Sequence, residues 1–227
     1  MSVLKFLGDN SDPRSLATRM RQRRFAFFLS LLDGIERPLQ ILDVGGTLQF
    51  WELMGSERLE GVTVTLLNLR PEKTTNARFE SVAGDALDLG RYLDSSFDVV
   101  FSNSVIEHLG PNFSDQQRMA NEIKRVGKRY FVQTPNRYFP LEPHFLVPGF
   151  QFFPMELRVW LVTHFNVGWY HRIPDREKAR KEVESVSLLS EKDLRGLFPG
   201  ASVYRETVIG LTKSLIAYDG FTRPSGL

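Results

Sequence analysis

The segment Ile41-Leu42-Asp43-Val44-Gly45-Gly46-Thr47 decides the fold of this chain. In it a short apolar run contains an acidic residue near its end, and two glycines follow at once. Such a run is typical of a buried parallel strand, and glycines after it let the backbone turn tightly and approach a ligand closely. The segment therefore predicts a strand whose carboxyl end carries a ligand-binding loop.

Short apolar runs and helical stretches alternate after this segment, which is typical of an α/β protein. The predicted strands comprise residues 40–44, 63–68, 81–83, 97–103, 129–134, 202–207 and 213–218, and the predicted helices comprise residues 50–59, 115–126 and 191–198. We predict a doubly wound, mostly parallel seven-stranded sheet of Rossmann-like form. The last two strands, joined near Gly210, are expected to form an antiparallel hairpin at its edge.

A helix is predicted before the first strand. Asp12-Pro13 followed by Ser15 is a helix-start pattern, with Asp12 as the cap. An apolar stripe at helical spacing follows and is expected to pack on the core; its members are Leu16, Met20, Phe27 and Leu31.

Residues 135–187 interrupt the alternation with many prolines and aromatic side chains. This composition favours an inserted cap with a helix near residues 155–165, because disordered segments are poor in aromatic residues. The aromatic side chains either fill the core of this cap or line a pocket beneath it. They are Phe139, Phe145, Phe150, Phe152, Phe153 and Trp160.

Composition excludes several classes of protein. The net charge of +2 is too balanced to indicate nucleic-acid binding, and we interpret the basic clusters at residues 14–24 and 172–181 as solvated helix faces, with phosphate-binding surfaces as the alternative. The chain has no cysteine, and its four histidines lack ligand spacing, so no metal site is expected. Without a signal-peptide pattern or a long apolar run, a soluble, cytoplasmic protein with at most peripheral membrane contact is expected.

A dinucleotide-binding loop would carry Gly-x-Gly-x-x-Gly directly after the first strand, whereas Thr47, Leu48 and Gln49 follow the glycine pair here. Hydride transfer is therefore disfavoured. The order of motifs instead resembles class I S-adenosylmethionine-dependent methyltransferases. Asp43 and Gly45 match the family's acidic-x-Gly-x-Gly-x-Gly motif, with Thr47 and Gln49 in place of its later glycines.

Residues 97–109, which end in Glu107-His108-Leu109, resemble the fourth-strand motif of the type 11 methyltransferase-domain group. The resemblance covers residues 40–136 and the closing segment 190–218. The chain length of 227 residues favours a single domain, which we divide into an N-terminal helical segment (1–38), a cofactor-binding core (39–134), a cap (135–187) and a closing helix and strands (188–227).

The resemblance also implies S-adenosyl-L-methionine as the cofactor. The loop after the first strand would hold it, Asn68 would face the ribose in place of the usual acid, and Asp85 would accept from the adenine amino group. The implied cofactor-binding residues are Asp43, Gly45, Gly46, Asn68, Leu69, Asp85, Ala86, Asn103, Ser104 and Val105.

Methyl transfer from a sulfonium needs alignment above all, and a base only where the acceptor is a weak nucleophile. His144 is the first candidate base, with His108 and Glu107 as further candidates. Glu142 and His144 flank Pro143, and the alternative is that they only tie the cap to the sheet.

We expect a small-molecule, lipid-linked or glycan acceptor and an O-methyl product, because an aromatic pocket would suit an apolar acceptor. No Asp-Pro-Pro-Tyr or Asn-Pro-Pro-Tyr quartet follows the fourth strand, which disfavours methylation of nucleic-acid bases. Two alternatives stay open. Basic clusters at residues 19–24 and 172–181 favour an RNA or protein methyltransferase, and the departures at Thr47, Gln49 and Asn68 favour a non-catalytic binding protein that retains the fold.

Overall fold

The computed structural model describes residues 15–55 and 59–222. Its helices are α1 (Leu16–Leu32), α2 (Leu48–Met54), α3 (Phe113–Val126), α4 (Met155–His164), α5 (Arg176–Glu184) and α6 (Glu191–Leu197). Its strands are β1 (Leu39–Val44), β2 (Val62–Asn68), β3 (Phe79–Ala83), β4 (Val99–Asn103), β5 (Tyr130–Pro135), β6 (Ser202–Val208) and β7 (Leu211–Asp219). Short 3-10 helices lie at Ile106–His108 and Phe150–Phe152.

The seven strands form one sheet in the order β3-β2-β1-β4-β5-β7-β6. Strands β1 to β5 are parallel, and β7 is antiparallel to both β5 and β6. The predicted fold class and edge hairpin are therefore confirmed. The chain order reverses between β1 and β4, and ligands of open α/β sheets bind at such a switch point, beyond the carboxyl ends of the strands.

Both faces of the sheet are covered, so its central strands are buried on both sides. Ile41 and Leu42 are neighbours in β1 and point to opposite faces. Leu42 packs in a cluster with α3 and α6, whereas Ile41 packs in a cluster with Phe28 of α1 and Trp51 of α2. This double burial explains why four of the six residues of β1 are apolar.

Helix α1 confirms the predicted helix but shifts the buried stripe. Met20 and Leu31 are buried as expected, whereas Leu16 is exposed and Phe27 only half-buried, because the inward face of the helix runs through Phe28. Ser15 caps the helix by accepting from the Thr18 amide. The predicted cap Asp12 and Pro13 lie outside the described residues.

Helix α2 is shorter than predicted. It ends at Met54 because Gly55 adopts a left-handed conformation with φ 84°. Residues 56–58 of the predicted helix lie outside the described residues. Helices α3 and α6 lie where they were predicted, and α6 begins with a reciprocal capping box between Ser190 and Asp193.

The cap has a small core of its own between α4 and α5. Phe145 and Phe150 are buried there against Val159, Val162 and Val183. Phe152 and Trp160 are exposed instead. Most of the cap aromatics thus either fill the core of the cap or are exposed. This agrees better with the interpretation that they form the core of the cap than with the interpretation that they line a pocket.

The basic cluster at residues 172–181 is a solvated helix face, as interpreted from the sequence. Arg176 and Arg180 of α5 form ion pairs with Glu156 of α4 on the surface. Across residues 15–55 and 59–222, none of the helices has the length and apolar content needed to span a bilayer.

The aromatic contact between α1 and the sheet is open to a direct test. The Phe28 ring is fully buried and lies 4.7 Å from the Phe101 ring and 5.2 Å from the Phe131 ring, centroid to centroid. Replacing Phe28 with alanine is expected to lower the free energy of unfolding by about 3–5 kcal/mol in urea denaturation. The control Leu93→Ala changes a side chain that is 82% exposed and should cost less than about 0.5 kcal/mol.

Candidate functional site

A cavity of about 510 Å³ lies at the carboxyl ends of β1, β4 and β5. Its lining includes the glycine loop after β1, the turn after β4, the cap around His144, the first turns of α1 and the start of β7. Of the predicted residues, it brings together Asp43, Gly45, Gly46, Asn103, Ser104, His108 and His144. Asn68, Leu69, Asp85, Ala86 and Val105 do not line it.

The loop after β1 requires both of its glycines. Gly45 has φ +78°, and a Cβ atom there would lie 2.5 Å from Val105 Cγ2. A Cβ atom at Gly46 would lie 1.7 Å from Asp43 Oδ2. The loop can therefore fold back over the Asp43 carboxylate only because both side chains are absent. Thr47 follows as the N-cap of α2, which gives its departure from the glycine motif a structural reason.

Asp43 lies behind this loop with an almost fully buried side chain. Its Oδ2 accepts a hydrogen bond from Trp51 Nε1 at 2.7 Å, whereas its Oδ1 has no partner among the described residues. Burial raises the pKa of Asp43 to about 7, and the Trp51 hydrogen bond only partly opposes this. A hydrogen-bond donor on a bound ligand would satisfy the unpaired oxygen.

The tips of β2 and β3 continue this edge of the sheet. Asn68 Nδ2 donates to the Gly46 carbonyl at 2.7 Å and so fixes the glycine loop. Asp85 is exposed, and its Oδ1 accepts from the Leu87 amide at 2.9 Å. Asn68 is the last residue of β2 and Asp85 follows β3, and these are the positions to which the resemblance assigns the ribose and adenine contacts.

The turn after β4 is strained. Ser104 has φ 59°, an uncommon value for a residue other than glycine and one that occurs often at functional sites. Two hydrogen bonds to Gln133 of β5 hold it, one from Ser104 Oγ at 2.8 Å and one from its backbone amide at 3.0 Å. The 3-10 helix that follows places Glu107 and His108 beside the cap.

The three predicted catalytic residues meet in one cluster with Glu142. His144 Nδ1 lies 2.7 Å from Glu142 Oε1, and the backbone amides of His144 and Phe145 donate to Glu142 Oε2. The His108 and His144 rings are perpendicular, with centroids 4.8 Å apart. Glu107 is fully buried; its Oε2 accepts from Thr134 Oγ1 at 3.0 Å, and its Oε1 has no partner among the described residues.

The pKa values of the ionisable groups in this cluster are shifted in different directions. Burial raises the pKa of Glu107 to about 7. His108 is more accessible to solvent, yet desolvation by the surrounding protein, followed by the charge of His144, lowers its pKa to about 4. Burial alone would lower the pKa of His144, but the hydrogen bond and charge of Glu142 and the charge of Glu107 outweigh it and raise this pKa. His144 is thus the stronger base of the two histidines.

The same cluster also has the donor atoms of a metal site. One nitrogen or oxygen from each of Glu107, His108 and His144 lies within 4.8 Å of the others. Imidazole and carboxylate ligands of this kind suit zinc. The expectation that the protein uses no metal stays a prediction.

Part of the chain is similar in sequence to a known protein family. Residues 42–130 match the profile of the family described as "Methyltransferase domain". Over these residues the chain is similar to methyltransferase domains. The resemblance to class I methyltransferases is thereby confirmed for this part of the chain.

Three similar proteins either match this chain over a short stretch or have low sequence identity to it. An uncharacterized protein of Mycobacterium tuberculosis is 36% identical over 72 residues, which are 31% of this chain and 23% of that protein. The chain thus matches about a quarter of the length of that relative. A SAM-dependent methyltransferase from Aquifex aeolicus has a TM-score of 0.50 at 13% identity, with 96% of this chain and 98% of that chain covered. An O-methyltransferase family protein from Burkholderia thailandensis has a TM-score of 0.53 at 13% identity, covering 92% and 58%. The two structures support the fold alone.

Sequence reasoning missed the cationic side chains of the cavity wall. Arg24 belongs to the basic cluster interpreted as a solvated face, but it is only 7% exposed, so that interpretation is wrong for this residue. Its Nη2 lies 2.7 Å from Glu206 Oε2, and its Nη1 donates to Asn103 Oδ1 and Gln133 Oε1. A signal was available, because Arg24 lies four residues before Phe28, on the same helical face as a buried aromatic side chain.

The pairing of His144 with Glu142 can be tested without an acceptor. In Glu142→Gln, the pKa of His144 is expected to fall, because the charge and hydrogen bond of Glu142 both favour the protonated ring. NMR titration of the imidazole resonances, assigned with single His→Gln variants, measures this pKa. The exposed Glu177 of α5 provides the control Glu177→Gln, which should leave it unchanged. An unchanged His144 pKa in Glu142→Gln contradicts the observed pairing.

Proposed function

We propose that this protein transfers the methyl group of S-adenosyl-L-methionine to an oxygen atom of an acceptor bound under the cap. One observation carries the proposal. The glycine loop after β1 and the Glu142-supported imidazole of His144 line the same cavity. A cofactor cradle and a base therefore lie in the same cavity.

The residues of the loop fit the cofactor. The unpaired Oδ1 of Asp43 accepts a donor, and the absence of side chains at Gly45 and Gly46 lets the loop backbone fold over this carboxylate at the cavity wall. Asp43, Gly45 and Gly46 would hold the centre of the cofactor, with Asn103, Ser104 and Val105 against its methionine end. Asn68, Leu69, Asp85 and Ala86 would hold the adenosine half. When bound, the cofactor supplies an electrophilic methyl group on a sulfonium.

His144 acts as the base in this proposal. Glu142 accepts from Nδ1 and fixes the ring, so Nε2 is the nitrogen that takes the proton from the acceptor hydroxyl. The carboxylate of Glu142 then stabilises the imidazolium. Because only neutral His144 can accept a proton, activity should rise with pH until the raised pKa of His144 has been passed.

The cap determines which acceptors fit. Phe139, Leu141, Leu146 and Trp169 add an apolar side to the cavity, although the larger aromatic cluster of the cap lies elsewhere. This lining favours a small-molecule, lipid-linked or glycan acceptor with an apolar portion. It also keeps water from the reacting atoms.

Calorimetric titration with S-adenosyl-L-methionine and with its demethylated product tests the cofactor site. Asp85→Ala is expected to weaken binding by about 1–3 kcal/mol, or roughly 5- to 150-fold, through the loss of a hydrogen bond to the ligand. Asp88→Ala is the matched control, since it removes a nearby exposed carboxylate that also caps a turn. Absence of binding to the wild-type protein would refute the proposed function.

A second experiment tests the base. With a panel of hydroxyl acceptors, formation of the demethylated cofactor is expected to fall about 10²- to 10⁴-fold in His144→Gln while cofactor affinity stays unchanged. The exposed His171 supplies the control His171→Gln. Repeating the assay with a metal chelator distinguishes a base role for His144 from a metal-ligand role. Activity that survives chelation supports the base, and activity lost to a chelator and restored by zinc assigns His144 to a metal instead.

A further inference from the structure

Cationic side chains dominate one wall of the cavity. Arg21 and Arg24 reach it from α1, and Lys213 reaches it from β7. Glu206 is paired with Arg24 at 2.7 Å. Within residues 15–55 and 59–222, neither Arg21 nor Lys213 forms an ion pair, and Lys213 Nζ donates to Met20 Sδ at 3.4 Å.

Burial works against the charged forms of these side chains. Burial, followed by the charge of Arg24, lowers the pKa of Arg21 to about 10, and the charge of Glu206 only partly opposes this shift. Burial also lowers the pKa of Lys213; the charge of Glu206 opposes this shift, and the charges of Arg24 and Arg21 add to it. Clustered, partly buried cations of this kind destabilise a protein unless an anion joins them. A concave site also focuses their potential on a ligand.

The position of the wall separates it from the adenosine half of the proposed cofactor site. In the sheet order, β2 and β3 lie on one side of the central pair β1 and β4, whereas β5 and β7 lie on the other. Ser214, next to Lys213, pairs with Pro135 at the end of β5. Because neighbouring strands are about 4.8 Å apart and β5 lies between them, β7 runs about 10 Å from β4, and Lys213 therefore lies on the side of the site away from the adenosine half.

We infer that the acceptor carries an anionic group, a carboxylate or a phosphate, which pairs with Arg21 and Lys213. The inference rests on the proposed function and names the substrate class of the same site. The guanidinium offers a planar fork to two oxygens of the anion, and the ammonium adds a point charge. The apolar cap residues then contact the rest of an acceptor whose hydroxyl lies at His144.

Arg24 has a different role. Its two terminal nitrogens are already engaged by Glu206, Asn103 and Gln133, so its charge is compensated and its geometry fixed. It holds the tip of β4 in place, and Arg21 and Lys213 remain for the ligand. The test variants therefore leave Arg24 unchanged.

Calorimetry of the full chain, saturated with the demethylated cofactor, tests the inference with inorganic phosphate and with acetate as the probes. Phosphate or acetate is expected to bind the wild-type protein at millimolar concentration. Binding should weaken about tenfold or more in Arg21→Met and in Lys213→Met. The matched controls are Arg23→Met on the exposed side of α1 and Lys192→Met on α6, and both should bind as the wild type does. The stronger of the two anions indicates whether the acceptor group is a phosphate or a carboxylate.

The outcomes separate this inference from the proposed function. Absence of phosphate and acetate binding, or binding unchanged in both variants, overturns the inference even where the cofactor binds normally. A matching loss of S-adenosyl-L-methionine affinity in both variants also overturns it, because the two cations would then hold the carboxylate of the cofactor. If the cofactor does not bind at all, the proposed function fails. Titration of phosphate and acetate into the free protein then still tests whether Arg21 and Lys213 bind an anion.

Folding of the variants provides an independent readout. Arg21→Met and Lys213→Met are both expected to melt at or above the temperature of the wild type, because each removes a partly buried cation that forms no ion pair with the carboxylates of the described residues. Lys213→Gln is the second variant for the case in which the methionine disturbs packing. A melting temperature that falls in Arg21→Met, Lys213→Met and Lys213→Gln would show that the cations serve the fold, and it would overturn the inference.

Discussion

The close contact between Gly46 and the carboxylate of Asp43 is the constraint on which the site depends. A side chain at Gly46 would occupy the position of that carboxylate. The backbone after β1 can therefore fold over Asp43 only when residue 46 is a glycine. Trp51 stabilises this contact by donating a hydrogen bond to the Asp43 carboxylate, and Asn68 stabilises it by donating to the Gly46 carbonyl. Residues from β1, α2 and β2 thus hold one loop rigid, which supports a preorganised cradle.

Arg24 extends this rigidity to the other side of the cavity. Its guanidinium joins α1, the tip of β4, β5 and β6 through contacts with Asn103, Gln133 and Glu206. Removing one member of such a buried network leaves the others unsatisfied, which costs more than the bond itself contributes. The strained turn at Ser104 lies within this network, and its two hydrogen bonds to Gln133 show how the fold keeps a left-handed residue at the edge of the site.

Sequence patterns predicted what is local and missed what depends on distant packing. The strand around Asp43 and its glycine loop were recognisable because apolar periodicity and glycine have direct backbone consequences. The grouping of Glu107 and His108 with His144 could not be read from spacing, since the histidines come from two segments 36 residues apart in sequence. Arg24 was misinterpreted because a cluster of basic residues usually faces solvent, and only a partner 182 positions away makes its burial tolerable.

Placement of the base depends on contacts between the cap and the core and on contacts within the cap. Ser187 at the end of the cap donates its amide to the Glu107 carbonyl at 2.7 Å, and Gln116 of α3 donates to the carbonyls of both Ile106 and Ser187. Within the cap, Gly168 packs against the turn that carries His144 so closely that a Cβ atom at Gly168 would lie 2.4 Å from the His144 carbonyl oxygen. The His144 ring also contacts the segment after β4 directly, with its centroid 4.8 Å from that of His108. The position of the imidazole is therefore coupled to the backbone that borders the proposed methionine end of the cofactor, so acceptor and cofactor geometry are set by one continuous set of contacts.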